Sequence, residues 1–142
     1  MSESVSIREA TWENDRELLL SVRTRVFVEE QKVPAEIEVD EFDPVSIHVR
    51  ATDMDNHPVG TARLLPVPKI GRVAVLQPWR KRGVGRLLML KLIDLAEQRG
   101  DQEITLHAQS WTVPFYETLD FVIEGDEFDE AGIPHFKMRK VV

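Results

Sequence analysis

The chain has no cysteine among its 142 residues, which removes disulfides, thiolate metal sites and cysteine nucleophiles from consideration. No apolar run approaches the ~18 residues that a membrane span requires. A positive charge balance is also missing. Eighteen Lys and Arg stand against 25 Asp and Glu, a net charge of −7, which argues against an extended nucleic-acid surface. The start Met1-Ser2-Glu3-Ser4 lacks the basic residues that open a secretory signal. The expectation is a cytoplasmic protein with neither membrane nor nucleic-acid partners. No His-x-x-x-His or comparable cluster occurs, so no metal is expected. Repeats, low-complexity tracts and linkers are absent as well, and Tyr116 is the only tyrosine.

What is there is ordinary in bulk and unusual in one place. Hydrophobic content of 42% and charged content of 30% suit a globular chain, and the length fits one domain over residues 1–142 with a sizeable core. The unusual place is residues 70–89. Ile70 to Leu76 is rich in Val and Ile and closed by Pro78, which reads as a buried strand. Arg80-Lys81-Arg82-Gly83-Val84-Gly85 follows, and then a long helical pattern. A strand leading through a basic, Gly-containing loop into a helix N-terminus is suited to holding phosphate. Glycines let backbone approach the anion, the loop N–H groups point at it, and the helix dipole adds positive charge. A dinucleotide fingerprint would need a third glycine where Leu88 stands, and a P-loop would need Gly-Lys-Ser/Thr where Gly85-Arg86-Leu87 stands. A tight turn with a solvated basic tip is the plain alternative.

Around this stretch the pattern alternates strands and helices. Val5 to Glu9 reads as a strand. Thr11 reads as the N-cap of an amphipathic helix over 12–30, with Glu13 and Asp15 placed for the dipole and Leu18, Leu19, Val22 and Val26 at helical spacing. The period is lost over 32–45, where Glu36 to Asp43 reads as an acidic loop. Strands are expected at 46–53 and 59–67, joined by the turn formers of 53–58. In the helix from Val84 to Gln98, residues Val84, Leu88, Met89, Leu92, Ile93, Leu95 and Ala96 share one half of the wheel, and Gly100 stops it. A strand at 103–108, a short helix at 113–119, a strand at 121–124, a turn-rich loop at 125–134 and a last strand at 135–139 complete the order. This is an α/β chain with a mixed central sheet of about 6–7 strands and helices on both faces.

The order Arg80-x-x-Gly83-x-Gly85 resembles the acetyl-CoA signature of the GNAT N-acetyltransferases, Gln/Arg-x-x-Gly-x-Gly/Ala. Tyr116-Glu117-Thr118-Leu119-Asp120-Phe121 is similar to that family's closing Tyr-x-x-Leu/Phe-Gly-Phe, with Asp120 in place of glycine. Asp tolerates a left-handed turn better than most residues, so the turn should survive. Arg25 to Gln31, Val33-Pro34, Glu38-x-Asp40, Asp43, His48, His107-Ala108-Gln109 and Gly132-Ile133-Pro134-His135 resemble the ElaA-like branch. The resemblance runs from about residue 5 to 139.

The resemblance implies a GNAT-type sheet and acetyl transfer from acetyl-CoA directly to a primary amine, as a monomer or homodimer. Arg80, Lys81, Arg82, Gly83, Val84, Gly85 and Arg86 would hold the pyrophosphate. Val73, Ala74 and Val75 would pair with the pantetheine beside a splayed gap in the sheet. Tyr116 would be the acid that serves the departing sulfur. The base stays open among Glu38, Asp40, Asp43, His48, His107 and His135, with His57 set aside in a turn. Asp40, Asp43, Gln109 and His135 would lie toward the acceptor. The carboxylates of 36–43 read partly as a solvated loop and partly as a field for a cationic amine. A non-catalytic acyl-CoA-binding module of the same fold is the alternative from another class.

Overall fold

In the computed structural model, which describes residues 4–142, a sheet forms from eight strands. Met1, Ser2 and Glu3, part of the start that lacks a secretory signal's basic residues, lie outside the described residues. The strands are β1 (Ser6–Ala10), β2 (Ile47–Thr52), β3 (Pro58–Leu64), β4 (Lys69–Val75), β5 (Glu103–Gln109), β6 (Val122–Ile123), β7 (Phe128–Glu130) and β8 (Ile133–Val141). Their order is β1-β2-β3-β4-β5-β8-β6, with β7 also on β8. All pairs are antiparallel except β4 with β5. The expected mixed sheet is present. The correction is at 125–134, read as loop, which contains β7. A three-residue strand is too short for alternation to reveal.

Helices α1 (Trp12–Arg23), α2 (Ala35–Glu38), α3 (Val84–Arg99) and α4 (Val113–Glu117) complete the fold. Thr11 caps α1 as expected, its hydroxyl accepting from the Asn14 N–H at 3.1 Å. Helix α3 buries Val84, Leu88, Met89, Leu92, Ile93 and Ala96 against Val49, Ala51, Ala62 and Leu64 of β2 and β3. Trp12 of α1 instead stacks on His48, with ring centroids 5.6 Å apart. Since His48 and Val49 are successive strand residues, they face opposite sides of the sheet, and α1 and α3 therefore cover opposite faces. Gly100 adopts φ 93 and ends α3, and Asp120 adopts φ 70 at the turn into β6.

The helix expected over 12–30 changes form at Thr24, where residues Thr24–Glu30 wind as a π-helix. The Gln31 N–H donates to the Val26 carbonyl at 3.1 Å, five residues back. Such wide turns are uncommon and occur often at functional sites. Here Val26 stays buried while Phe27 and Gln31 turn toward the groove described below.

The acidic run 36–43 is only partly a solvated loop. Glu36 and Glu41 are exposed, but Glu38 lies in α2 and is buried, as is Asp43. Arg23, 1% exposed, donates from Nε to Glu38 at 2.6 Å and from Nη1 to Asp43 at 2.7 Å. Arg63 grips Asp40 with both terminal nitrogens at 2.7 Å and reaches Asp43 at 2.8 Å. Arg72 adds a contact to Asp40 at 3.2 Å and one to the Glu38 carbonyl at 3.0 Å. Three guanidinium groups thus balance three carboxylates and fasten the 35–45 segment to the sheet. A buried ion is tolerated only with such partners. Burial alone would raise the Asp40 carboxyl, but the hydrogen bonds and charge of Arg63, with Arg72, bring it down from 3.8 to about 2.

Replacing Arg23 by Met leaves two buried carboxylates without their main partner, and should cost about 3–5 kcal/mol in urea titrations at neutral pH. A loss below about 1 kcal/mol, the range of exposed pairs, would contradict the assignment. Because the folded Asp40 value is depressed, its contribution is complete above 3.8 and disappears as the pH falls through about 2. Acid unfolding should therefore steepen in that window, and Asp40→Asn should flatten it.

Candidate active site

Strands β4 and β5 pair at only two positions, Lys69 with Thr105 and Ile70 with Leu106. Beyond them residues 71–75 of β4 and 107–109 of β5 have no partner in each other. A bulge helps to part them. Between Ala74, opposite Thr61, and Gly71, opposite Arg63, β4 advances three residues while β3 advances two. Arg72 sits in this bulge at φ 51. Bulges bend a strand and re-aim its side chains. The result is a cleft of about 940 Å³.

At one end the cleft meets the basic loop. Lys81 and Gly83 have φ of 62 and 84, which turns the chain sharply into α3. Gly83 is the N-cap and offers no side-chain cap, so the first N–H groups of α3 are not covered by a capping side chain. Val73, Ala74, Val75, Arg80, Lys81, Gly83, Val84, Gly85 and Arg86 all line the cleft. A Cβ on Gly85 would come within 3.4 Å of the Phe115 ring, so α4 approaches α3 closely here. These features fit the pyrophosphate and pantetheine of an acyl-CoA. An unpaired strand edge supplies hydrogen-bonding backbone, and a helix N-terminus with basic side chains suits phosphate.

The three loop cations differ. Both terminal nitrogens of Arg80 bind Glu30 at 2.6 Å, and its Nε donates to the Val75 carbonyl at 2.9 Å. Its charge is already balanced, and the arginine joins the π-helix to the cradle. Arg82 lies 5.2 Å over the Trp79 ring and outside the cleft wall. Lys81 and Arg86 remain as the basic side chains of the cradle that face the cleft with no carboxylate at salt-bridge distance among the described residues.

Tyr116 lines the cleft from α4 and is 8% exposed. Burial pushes its phenol above the ordinary value, which keeps the proton on the oxygen. Phe115 and Phe121 pack edge-on against its ring at 5.0 and 6.1 Å and fix its direction.

At the other end the structure sorts the acceptor-side candidates. His107, Gln109, His135, Glu38 and Asp40 line the cleft, and Asp43 and His48 do not. His48 is 1% exposed and donates from Nε2 to the Asp43 carbonyl at 2.8 Å. Burial lowers its affinity for a proton, partly offset by Asp43. That is a packed histidine under Trp12, without access to a substrate. Both Glu38 oxygens are held by Arg23, at 2.6 and 3.2 Å, so its charge is committed to a buried ion pair. Gln109 exchanges amide hydrogen bonds with Gln31 at 2.8 and 3.3 Å and accepts from the Trp111 indole at 2.9 Å. That bridge joins the π-helix to the end of β5.

Sequence reasoning missed Glu130. It lies on β7, lines the cleft, and has an oxygen 2.9 Å from His107 Nδ1 and another 3.6 Å from His135 Nε2. Among the described residues it is the one cleft-lining carboxylate without an arginine partner. Its only sequence signal is its place in a turn-rich segment ahead of Gly132-Ile133-Pro134-His135. Away from the cleft, Asp53, Asp55 and His57 offer ligand atoms within 4.8 Å of one another in the β2–β3 turn. Asp53 there already accepts from the Asp55 and His57 backbone N–H groups at 2.9 and 2.8 Å.

Comparison with known proteins gives a consistent match. Residues 16–142 match a family described as an acetyltransferase (GNAT) domain. The Bacillus subtilis (strain 168) N-acetyltransferase YjcF, itself uncharacterized, is 41% identical over 84% of this chain and 87% of its own. Protein ElaA of Escherichia coli (strain K12) is 33% identical over 87% of this chain and 86% of its own. A crystal structure of an acyl-CoA N-acyltransferase from Pseudomonas aeruginosa superposes with a TM-score of 0.85 at 31% identity, covering 96% of this chain and 99% of that one.

Gly83→Val tests the cradle. A Cβ there meets nothing within 4 Å, so the fold has room, but φ 84 is strained for a β-branched residue. Relief of about 1–3 kcal/mol of strain by a shifted loop should weaken CoA binding roughly ten- to hundredfold in calorimetry, with a near-normal melting temperature. Wild-type affinity in a folded variant would sink the cradle.

Proposed function

The chain belongs to the GNAT acetyltransferase family and resembles its ElaA-like members, and from that premise we propose that it moves the acetyl group of acetyl-CoA directly to a primary amine of a small cationic acceptor in the cytoplasm. The observation that carries the reading is the unpaired β4 edge, which opens between an uncapped helix start and a buried tyrosine. Backbone groups of residues 73–75 orient the pantetheine, and the α3 N-terminus with Lys81 and Arg86 receives the pyrophosphate. In this reading the thioester lies along β4, in the cleft that Tyr116, His107, Glu130 and His135 also line.

In this reading the neutral amine attacks the thioester carbonyl, a C–N bond forms and the C–S bond breaks. The sulfur leaves with the electron pair and takes the Tyr116 proton. The phenol is restored by the proton that the nitrogen sheds. Burial keeps Tyr116 protonated but also makes it a weaker acid, so its proton moves only as negative charge builds on the sulfur held beside it. The apolar wall of Val26, Phe27, Leu106 and Phe115 limits access of water. The negative charge that greets an ammonium is Glu130. The 36–43 run cannot supply a strong field, since Arg23, Arg63 and Arg72 balance Glu38, Asp40 and Asp43.

A non-catalytic acyl-CoA-binding module would need the cleft but not the phenol in it, and the placement of Tyr116 favours the enzyme. Thiol release from acetyl-CoA over a panel of primary amines separates the two. Tyr116→Phe keeps the ring and its packing, so stability and acetyl-CoA affinity should change little. Turnover should fall roughly 10²–10⁴-fold, the contribution of a general acid, and the loss should shrink with a more acidic leaving thiol. Turnover within about twofold of wild type, with chemistry rate-limiting, would remove Tyr116 from the mechanism.

A further inference from the structure

Strand β7 has three residues, and two of them address the same pair of histidines. Phe128 and Glu130 share one face of the strand, being two positions apart. The Phe128 ring lies edge-on to His107 at 4.9 Å and stacked near His135 at 5.9 Å. Glu130 places one oxygen on each histidine, at 2.9 Å from His107 Nδ1 and 3.6 Å from His135 Nε2. The register of β7 on β8, Phe128 opposite His135 and Glu130 opposite Ile133, delivers both contacts.

The hydrogen-bond partners decide where the protons sit. An ionised carboxylate only accepts, so the nitrogen of His107 that faces Glu130 must carry the hydrogen. The proton of neutral His107 is therefore on Nδ1, and the lone pair is on Nε2. Lys69 Nζ, 3.5 Å from the same Nδ1, cannot donate to an atom already protonated. His135 donates from Nδ1 to the Ile133 carbonyl at 2.7 Å, which leaves its Nε2 toward Glu130. A histidine with one nitrogen held by a carboxylate and the other holding a free lone pair is a formed general base.

We propose that Glu130 is the positioning residue of the reaction's base: it holds His107 with its hydrogen on Nδ1, so that Nε2 takes the proton an acceptor ammonium must lose before attack. The proposal rests on the N-acetyl-transfer reading. The ammonium gives one proton to Nε2, the ring becomes an imidazolium facing the Glu130 carboxylate, and the freed amine attacks the thioester. The imidazolium returns its proton to solvent once product leaves. The charged or titratable groups around His107 are Lys69 from β4, Glu130 from β7, and His135 and Lys137 from β8. Lys137 is the register partner of His107 and is paired with Glu124 at 3.2 Å.

Two measurements test this, one of them independent of turnover. Nitrogen-15 shifts of the imidazoles in the free protein should report the Nδ1–H form of His107 in wild type and a shift toward the Nε2–H form in Glu130→Ala. An unchanged tautomer in Glu130→Ala would overturn the proposal. With any amine that the panel shows to be acetylated, His107→Gln should abolish the acidic limb of the kcat–pH profile. Glu130→Gln should lower kcat roughly 10- to 10³-fold and move that limb to lower pH, because loss of the carboxylate disfavours the imidazolium. Glu130 is half-exposed, so the variants should fold, and melting temperatures verify it. Acetylated product with a pH profile indifferent to His107→Gln overturns this inference alone. Absence of product from every amine, with acetyl-CoA bound normally, overturns the transfer reading and this inference with it.

Discussion

The parting of β4 from β5 after two register pairs is the constraint on which the rest depends. A parallel pair buried in a sheet ordinarily continues, because each unmade ladder bond leaves a polar backbone group to be satisfied. Here five β4 residues, 71–75, forgo that pairing. Something other than β5 must meet those groups, and an extended amide-bearing chain such as pantetheine is suited to do so. The bulge at Arg72 and the left-handed loop residues Lys81 and Gly83 lie at the two ends of this edge. They set it between the cleft wall of His107, Glu130 and His135 on one side and the α3 N-terminus on the other.

Keeping a sheet open requires rigid surroundings. On one flank Arg80 joins the cradle to Glu30 of the π-helix, and Gln31 at the end of that helix bridges to Gln109 on β5. On the other, the network of Arg23, Arg63 and Arg72 fixes the 35–45 segment, which adds Ile37, Glu38, Asp40 and Phe42 to the cleft wall. Charges whose count suggests a field for attracting cations are mostly consumed as fasteners. That leaves the acceptor end with a small set of groups free to do chemistry: Glu130, His107, His135 and Lys69. In the proposed reading, specificity for the acceptor rests on hydrogen-bonding geometry at close range, with a small contribution from long-range charge.

The basic loop and the helix start proposed to hold phosphate were legible in the sequence because their geometry is local. Gly83, Gly85 and the cations around them lie within the seven residues 80–86, and the backbone torsion that demands Gly83 is a property of one residue. The place of Tyr116 on the cleft wall was legible for the same reason, since it lies in a short segment that closes a helix. The acceptor end was not. His48 resembles a candidate base until strand alternation turns it under Trp12, away from Val49. Glu38 and Asp43 resemble a solvated acidic run until Arg23, fifteen and twenty residues earlier, is found between them. Glu130 gave almost no signal, since β7 exists only because β8 pairs with it. The π-helix was hidden too, because Leu19, Val22 and Val26 fit an uninterrupted α-helix equally well.

Amide hydrogen exchange with and without CoA tests the central claim most directly. Those amides of residues 71–75 that do not bond to β3 face the gap. Together with the first-turn amides of α3, they should exchange readily in the free protein and slow markedly when CoA is bound. The remainder of β3 and the β5–β8 ladder should change little. Slowing of the β4 edge and the α3 start together is the predicted result. Protection confined to other segments, or no protection at saturating CoA, would contradict an acyl-CoA seat in the gap between β4 and β5.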